Sequence, residues 1–185
     1  LDEKERAFYN KFHFDIEIEL QEFGFTEVGG LHYRTDHDLK GHELVSGQKM
    51  EIFDEESGSK FIPHVLELSF GVDRNVYSLV DLHYDDDKQR GNIVLHLPSK
   101  VTPFICAVFP LVKNKPEITA KAEQVHSLIR KHFSCFYDEA ASVGRRYARA
   151  DEIGVKYCIT IDFETLEDPV LRDTVTIRNR DTTQQ

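Results

Sequence analysis

The chain has 185 residues, 40% hydrophobic and 30% charged, with a mean hydropathy of −0.44. That balance belongs to ordinary soluble globular chains and excludes the disordered and membrane classes, and the length allows one large domain or two small ones. The net charge of −10 is uneven: residues 1–97 hold 10 Lys+Arg against 21 Asp+Glu, whereas residues 98–185 hold 13 against 12. Phosphate binding depends on local patches, so only the second half is a plausible nucleic-acid surface, and the first repels phosphate unless metal intervenes. No apolar run approaches the roughly 20 residues of a spanning helix. The charged start LDEKERAFYN lacks the apolar stretch of a signal peptide, so the expectation is a cytoplasmic chain without membrane contact.

In chain order, FHFDIEIEL comes first: Phe12, Phe14, Ile16, Ile18 and Leu20 fall on one face, with Asp15, Glu17 and Glu19 on the other. A period of two predicts a strand with one wet face. FGFTEVGG reads as its hairpin partner, turned near Phe23 and Gly24. HYRTDHDLKGHELVSGQKM is polar and turn-rich, which suggests a loop with a short helix. DEESGSK, residues 54–60, is a turn between strands in MEIF and KFIPHVLEL. After Gly71 the period changes. Val72, Val76, Leu79, Val80 and His83 recur at helical spacing, which predicts an amphipathic helix over 72–84 ending in the solvated run DDDKQRG. NIVLHLPSKVTP is a strand followed by a proline-bounded linker, and the charge balance shifts there. The expected boundary lies at about residue 98, giving domains over 1–97 and 98–185.

The second half alternates strand and helix. FICAVFPLV is a continuous apolar run of buried-strand type. PEITAKAEQVHSLIRKHF opens with Pro116 in a first helical turn and sets Ile118, Ala122, Val125, Ile129 and Phe133 on one face. CFYDE is a short strand, and SVGRRYARADEIG a helix with Ser142 as N-cap and Gly154 just past its end. KYCITIDF and TVTIRNRD add two strands. A β-α-β-α-β-β order predicts a small mixed sheet with helices packed on it. Cys106, Cys135 and Cys158 are widely spaced in apolar stretches, which suits reduced structural thiols rather than a zinc site.

One joint raises a physical question. FIPHVLELSFGVDR puts Arg74 in the first turn of a helix, where the macrodipole is already positive and a cation is disfavoured. On spacing alone Arg74 is either a surface arginine paired with Asp73 or a ligand for an anion. Glu67 and Ser69, two residues apart on the preceding strand, share a facing.

PHVLELSFGVDR resembles the third signature motif of class II aminoacyl-tRNA synthetases and, in its details, that of glycyl-tRNA synthetases of the bacterial homodimeric type. The likeness continues in order through FGFTEVGGLHYRTDHDL, VFPLVKNKPEIT, SVGRRYARADEIG and DTVTIRNRDT. The resemblance implies an α+β part followed by an α/β part: a piece of the class II antiparallel catalytic sheet, with the third motif at 63–74, and then a small mixed-sheet anticodon-binding domain. It further implies ATP-dependent activation of glycine, attachment to tRNA(Gly), magnesium, and a homodimer in the intact enzyme.

Residue by residue, the resemblance places Glu67, Leu68 and Ser69 at the glycine site, the carboxylate receiving the ammonium group. The family usually has proline where this chain has Leu68. Glu27 and Val28 match a pair that contacts ATP, with the acidic side chain helping to hold magnesium, and Arg74 matches an arginine that lies against the nucleotide and meets phosphate. The bland readings are a strand-end carboxylate for Glu67 and a solvated one for Glu27. His37 and His42 accompany Asp36 and Asp38 without regular spacing, and this stretch is read as a structured loop rather than a metal site; Asp85–Asp87 is read as a solvated turn. Arg145, Arg146 and Arg149 fall on overlapping faces of one short helix near Tyr147, a candidate tRNA contact, with Asp151 and Glu152 as possible internal partners. No general base is assigned, because catalysis in such a site is positioning and charge neutralisation.

The family's first two motifs are not found, nor is a final helix after Gln185. The expectation is therefore a C-terminal fragment that alone makes no glycyl-adenylate. The alternative is a non-catalytic synthetase-like module that binds RNA or protein, against which the presence of Glu67, Ser69 and Arg74 argues.

Overall fold

The computed structural model describes residue 2 and residues 4–185, which form two compact units, Leu1–Leu82 and His83–Gln185. In the first, β1 (Phe12–Leu20) and β2 (Gly24–Thr35) form an antiparallel hairpin closed at Gly24, whose φ of 65° is one that glycine adopts without steric cost. α1 (His37–Ser46) follows, then the small ladder of β3 (Ile52–Asp54) and β4 (Ser59–Phe61), then β5 (Val65–Phe70) and α2 (Val72–His83). The main sheet has the order β1-β2-β5 and is antiparallel throughout. HYRT, expected in a loop, is the end of a twelve-residue strand: pairing with β1 on one side and β5 on the other carries β2 through polar residues of weak strand pattern. α1 in turn runs ten residues and stops at Gly47 in the left-handed region.

β1 alternates as its sequence predicts, but its faces are covered the other way round. Phe12, Phe14 and Ile16, with Leu66, Leu68 and Phe70 of β5, lie on a face that no described residue of this unit covers, and Leu66 and Leu68 are 68% and 61% exposed. On the opposite face polar side chains cover one another: His13 bonds Asp15 at 2.9 Å, and the His13 and His32 rings lie 4.1 Å apart. The sheet is thin at its centre. A Cβ on Gly29 would come within 2.5 Å of the Phe70 ring and 2.9 Å of the Ser69 carbonyl oxygen, so the bare backbone is what lets β5 approach.

The second unit opens with a hairpin, β6 (Tyr84–Asp87) and β7 (Asn92–Leu95). It continues with β8 (Cys106–Pro110), α3 (Pro116–Ile129), β9 (Cys135–Tyr137), α4 (Val143–Glu152), β10 (Tyr157–Ile161), the short α5 (Glu164–Glu167) and β11 (Thr176–Asn179). The sheet order is β11-β10-β8-β9; β8 is parallel to both neighbours and β11 antiparallel to β10, the expected small mixed sheet. Cys106, Val108, Ile159 and Ile161 pack with Ile118 and Ala122 of α3, while Ala107, Phe109 and Cys158 pack with Ala150 of α4 on the other face. Gly154, at φ 78°, ends α4, and a Cβ there would press on Leu97 and the Leu95 carbonyl. The three cysteines are free thiols; burial pushes Cys158 up to about 12.

Two expectations change here. Asp85–Asp87 is a strand paired with β7, and the turn lies beyond it, where Asp87 accepts the backbone N–H groups of Gln89 and Arg90. The division between units falls after Leu82 rather than at about residue 98, because β7 packs on α4 and side chains of the hairpin region join the second unit: Arg90 stands 3.6 Å from Asp151, and His96 bonds Asp181 at 3.0 Å. Charge composition marks a change of surface, and packing marks the domain. Among the described residues no helix is long and apolar enough to cross a membrane.

Ion pairs tie the end of the chain to this core. Arg178 is bidentate to buried Asp151 at 2.9 and 2.7 Å, and buried Arg180 donates to the carbonyls of Gly154 and Leu97 and to Asp181. Partial burial opposes ionisation of Asp181, but hydrogen bonds from Arg180, Lys156 and His96 outweigh it and hold the carboxyl well below its usual range. Such a group stabilises the fold above its unfolded value of about 4 and loses that contribution as pH falls toward the folded value. Asp181→Asn should lower the urea midpoint at pH 7, with the difference from wild type narrowing progressively below about pH 4. A difference that stays constant into strong acid would show that Asp181 is not held this way.

Candidate functional site

The polar face of the first sheet is built by register. Antiparallel pairing sets Glu67 opposite His32 and Ser69 opposite Gly30, with His13 and Asp15 of β1 beyond them. β2 carries one extra residue at Val28, where the ladder passes from Ile16↔Gly29 to Glu17↔Glu27. This bulge brings Glu27 onto the same face as Gly30, although they are an odd three positions apart. Glu27, Glu67 and Ser69 therefore share one face. At its centre the floor is bare backbone, with the His32 ring lying over Gly30, so that a Cβ there would come within 2.4 Å of Nε2.

Leu68 does not share that face. It pairs with Leu31 and is 61% exposed on the apolar side, since alternation turns it away from its two neighbours; only its backbone borders the polar face. Val28, by contrast, is buried, 3% exposed, and its carbonyl accepts Asn75 Nδ2 at 2.8 Å.

Arg74 lies in the first turn of α2, and its partner is Glu27 rather than Asp73. Nη1 donates to the Glu27 carbonyl at 3.0 Å and stands 3.4 Å from its carboxylate. A carbonyl and a carboxylate thus offset the unfavourable helix dipole. Both side chains are well exposed, and a depression of about 310 Å³ lies beside Arg74, lined also by Leu20, Phe23, Thr26, Asp73 and Tyr77. Glu67 and Ser69 do not line it.

Sequence reasoning passed over Arg34. Its Nη1 donates to Glu67 Oε2 at 2.6 Å, while Nε and Nη2 grip Asp38 at 2.6 and 2.8 Å. These bonds hold Asp38 below the usual carboxylate range and keep the guanidinium firmly protonated. The visible signal was the four-residue spacing of Arg34 and Asp38; the contact with Glu67, 33 residues on, needs the sheet.

In the second unit, the three arginines of α4 do not form one surface. Arg145 is exposed. Arg146 is 2% exposed and donates to the carbonyls of Pro110, Ala140 and Ala141, so it leaves the set of candidate RNA contacts. Arg149, half-buried, pairs with Asp138 and the Ala140 carbonyl. Tyr147 is also engaged internally, with its hydroxyl on Thr160, its ring edge-on to Phe109, and the Arg178 guanidinium 4.9 Å over it. Asp151 does pair with an arginine, but with Arg178 rather than one on its own helix.

The mixed sheet of the second unit has the architecture of an anticodon-binding domain, and residues 105–185 match the family described as "Anticodon binding domain". Nearly the whole chain is similar to proteins named "Glycine--tRNA ligase". It is 41% identical over 186 residues to that of Clostridium beijerinckii, covering 99% of this chain and 38% of the relative. It is 42% identical over 185 residues to that of Clostridium tetani, covering 98% and 38%, and 41% identical over 181 residues to that of Chlorobaculum tepidum, covering 97% and 37%. The chain is thus similar to a portion of glycine–tRNA ligases, in line with its motifs, and spans less than two-fifths of the length of these curated proteins.

Arg146→Gln strips a buried set of hydrogen bonds and should cost ~2–4 kcal/mol in urea unfolding, whereas Arg145→Gln should leave the midpoint unchanged. Equal effects would contradict the burial of Arg146.

Proposed function

We propose that this chain is the C-terminal portion of a glycine–tRNA ligase of class II, a cytoplasmic homodimer when intact. On this reading the first unit contributes the strand-to-helix end of the catalytic sheet, and the second contacts the anticodon of tRNA(Gly). The observation that carries the reading is the convergence of Glu67, Ser69 and Glu27 on one open sheet face, with Arg74 drawn to Glu27, at the positions that match the family's motif. The uncovered apolar face on the other side of the sheet fits a part whose remaining neighbours lie elsewhere in a longer protein.

Glycine offers its ligand site an ammonium group, a carboxylate and no side chain. A carboxylate at Glu67 receives the ammonium, the Ser69 hydroxyl adds a polar contact, and the His32 ring lying over Gly30 limits the room beside the bound α-carbon. Arg74 exchanges Glu27 for nucleotide, its planar guanidinium lying against the base or meeting phosphate oxygen. Glu27 would then be the carboxylate that holds magnesium, an ion that accepts a single carboxylate when the nucleotide phosphates accompany it. Magnesium, when bound, neutralises phosphate charge. The glycine carboxylate attacks the α-phosphate of ATP, pyrophosphate departs, and the glycyl group later passes to the terminal adenosine of the tRNA. The chain's residues hold and orient the reactants. In the second unit, Arg145 is the exposed cation of α4 available to RNA.

The full-length protein should catalyse glycine-dependent ATP–pyrophosphate exchange, and this segment alone should not. In the full-length protein Glu67→Gln should raise the KM for glycine roughly 10–100-fold, the value of a charge-assisted hydrogen bond, with little change in the KM for ATP. Absence of glycine-dependent exchange, or a glycine KM indifferent to E67Q, would overturn the reading.

A further inference from the structure

The second bulge of β2 is at Arg34. The ladder with β5 passes from Tyr33↔Leu66 to Thr35↔Val65, so Arg34 is the extra residue and the strand is re-aimed there. Thr35 sits at φ 56°, a left-handed conformation that is an outlier for a β-branched residue and persists only where its surroundings over-determine it. The guanidinium this backbone presents is held on every side. All three of its nitrogens are used, two on Asp38 at the start of α1 and one on Glu67 Oε2, and its face lies 4.4 Å from the centre of the Tyr9 ring. A surface ion pair needs none of this.

We propose that Arg34 is a positioning residue for Glu67, holding one carboxylate oxygen so that the other meets the ammonium of the amino acid; this rests on the function proposed above. Glutamate has three side-chain torsions, and a loose carboxylate loses rotamer freedom when a ligand is bound. Glycine has no side chain whose burial could offset that loss, so fixing the carboxylate beforehand matters more than it would for a larger amino acid. The second partner of Arg34 serves the same end. A lone guanidinium beside Glu67 would repel an incoming cation, and Asp38, gripped by two nitrogens, cancels that charge, leaving the group of three with a net negative charge directed to the site. Lysine, with a point charge and no fork, cannot hold both carboxylates in fixed planes.

The test is glycine-dependent ATP–pyrophosphate exchange by the full-length ligase carrying Arg34→Gln, Arg34→Lys, Glu67→Gln and the double change R34Q/E67Q. R34Q should raise the KM for glycine roughly tenfold while the KM for ATP and kcat stay within about twofold, and R34K should recover only part of the loss. The double variant should match E67Q alone, since Arg34 acts only through Glu67. Should R34Q fail to fold, Asp38→Asn carries the same test with a smaller shift in the same direction. The inference is overturned if E67Q raises the glycine KM and R34Q does not, if R34Q weakens glycine and ATP alike, or if the two effects multiply. If E67Q itself leaves the glycine KM unchanged, it is the assignment of Glu67, and with it the proposed function, that fails.

Discussion

The first unit depends on the register of its central strand. In a β-sheet a shift of one residue sends every side chain to the other face, and β2 makes that shift twice, at Val28 and at Arg34. The first places Glu27 on the same face as Glu67, where regular alternation would have put it among the apolar side chains. The second makes Arg34 and Thr35 together oppose Val65, turning the strand as it leaves the sheet for α1. Between the bulges, Gly29 and Gly30 keep the strand bare, so that Phe70 closes over it from one side and His32 from the other. Bulges, paired glycines and a left-handed threonine within eight residues concentrate irregularity where the polar face is built, as expected of a sheet shaped around something other than its own core.

Arginine does two kinds of work in this chain, and burial separates them. Arg146 and Arg180 are enclosed, each donating to backbone carbonyls at the ends of elements, while Arg178 is fully paired with Asp151. Five fixed donors suit a guanidinium to gathering carbonyls that no regular ladder satisfies. Arg74 and Arg145 lie open to solvent, and Arg34 stands between these extremes, part-buried with every nitrogen engaged. The acidic excess of the first 97 residues is therefore not a uniform field: its polar face carries a guanidinium at Arg34 and another at Arg74, each against a carboxylate that it could share with or yield to a ligand.

The two faces of the first sheet explain one another. Six large apolar side chains on one side lie open, and the polar side chains on the other are partly covered by mutual contact. A sheet of three strands cannot by itself bury an apolar face, which needs a second layer. The second unit has both its layers, with α3 on one face of the mixed sheet and α4 on the other, and its core is correspondingly closed.

Local pattern was enough for much of this protein. The periods of two and of 3.6, Pro116 at the head of α3 and Gly154 past the end of α4 were readable because each follows from the geometry of a single element. The shared facing of Glu67 and Ser69 was readable for the same reason. What the sequence could not decide was which side chains from different elements meet: that Arg74 finds Glu27, that Arg34 finds Glu67, that Arg146 is buried while Arg145 is not, and that Leu68 turns away. Those outcomes depend on cross-strand register and on packing, and both are set by bulges and by neighbours distant in the chain. By itself the sequence determined most of the elements and the polarity of their faces; only the tertiary structure decided the pairing and the strands that pairing extends through polar residues, because a one-residue shift in β2 leaves no mark on local composition and yet changes the partner of every side chain that follows.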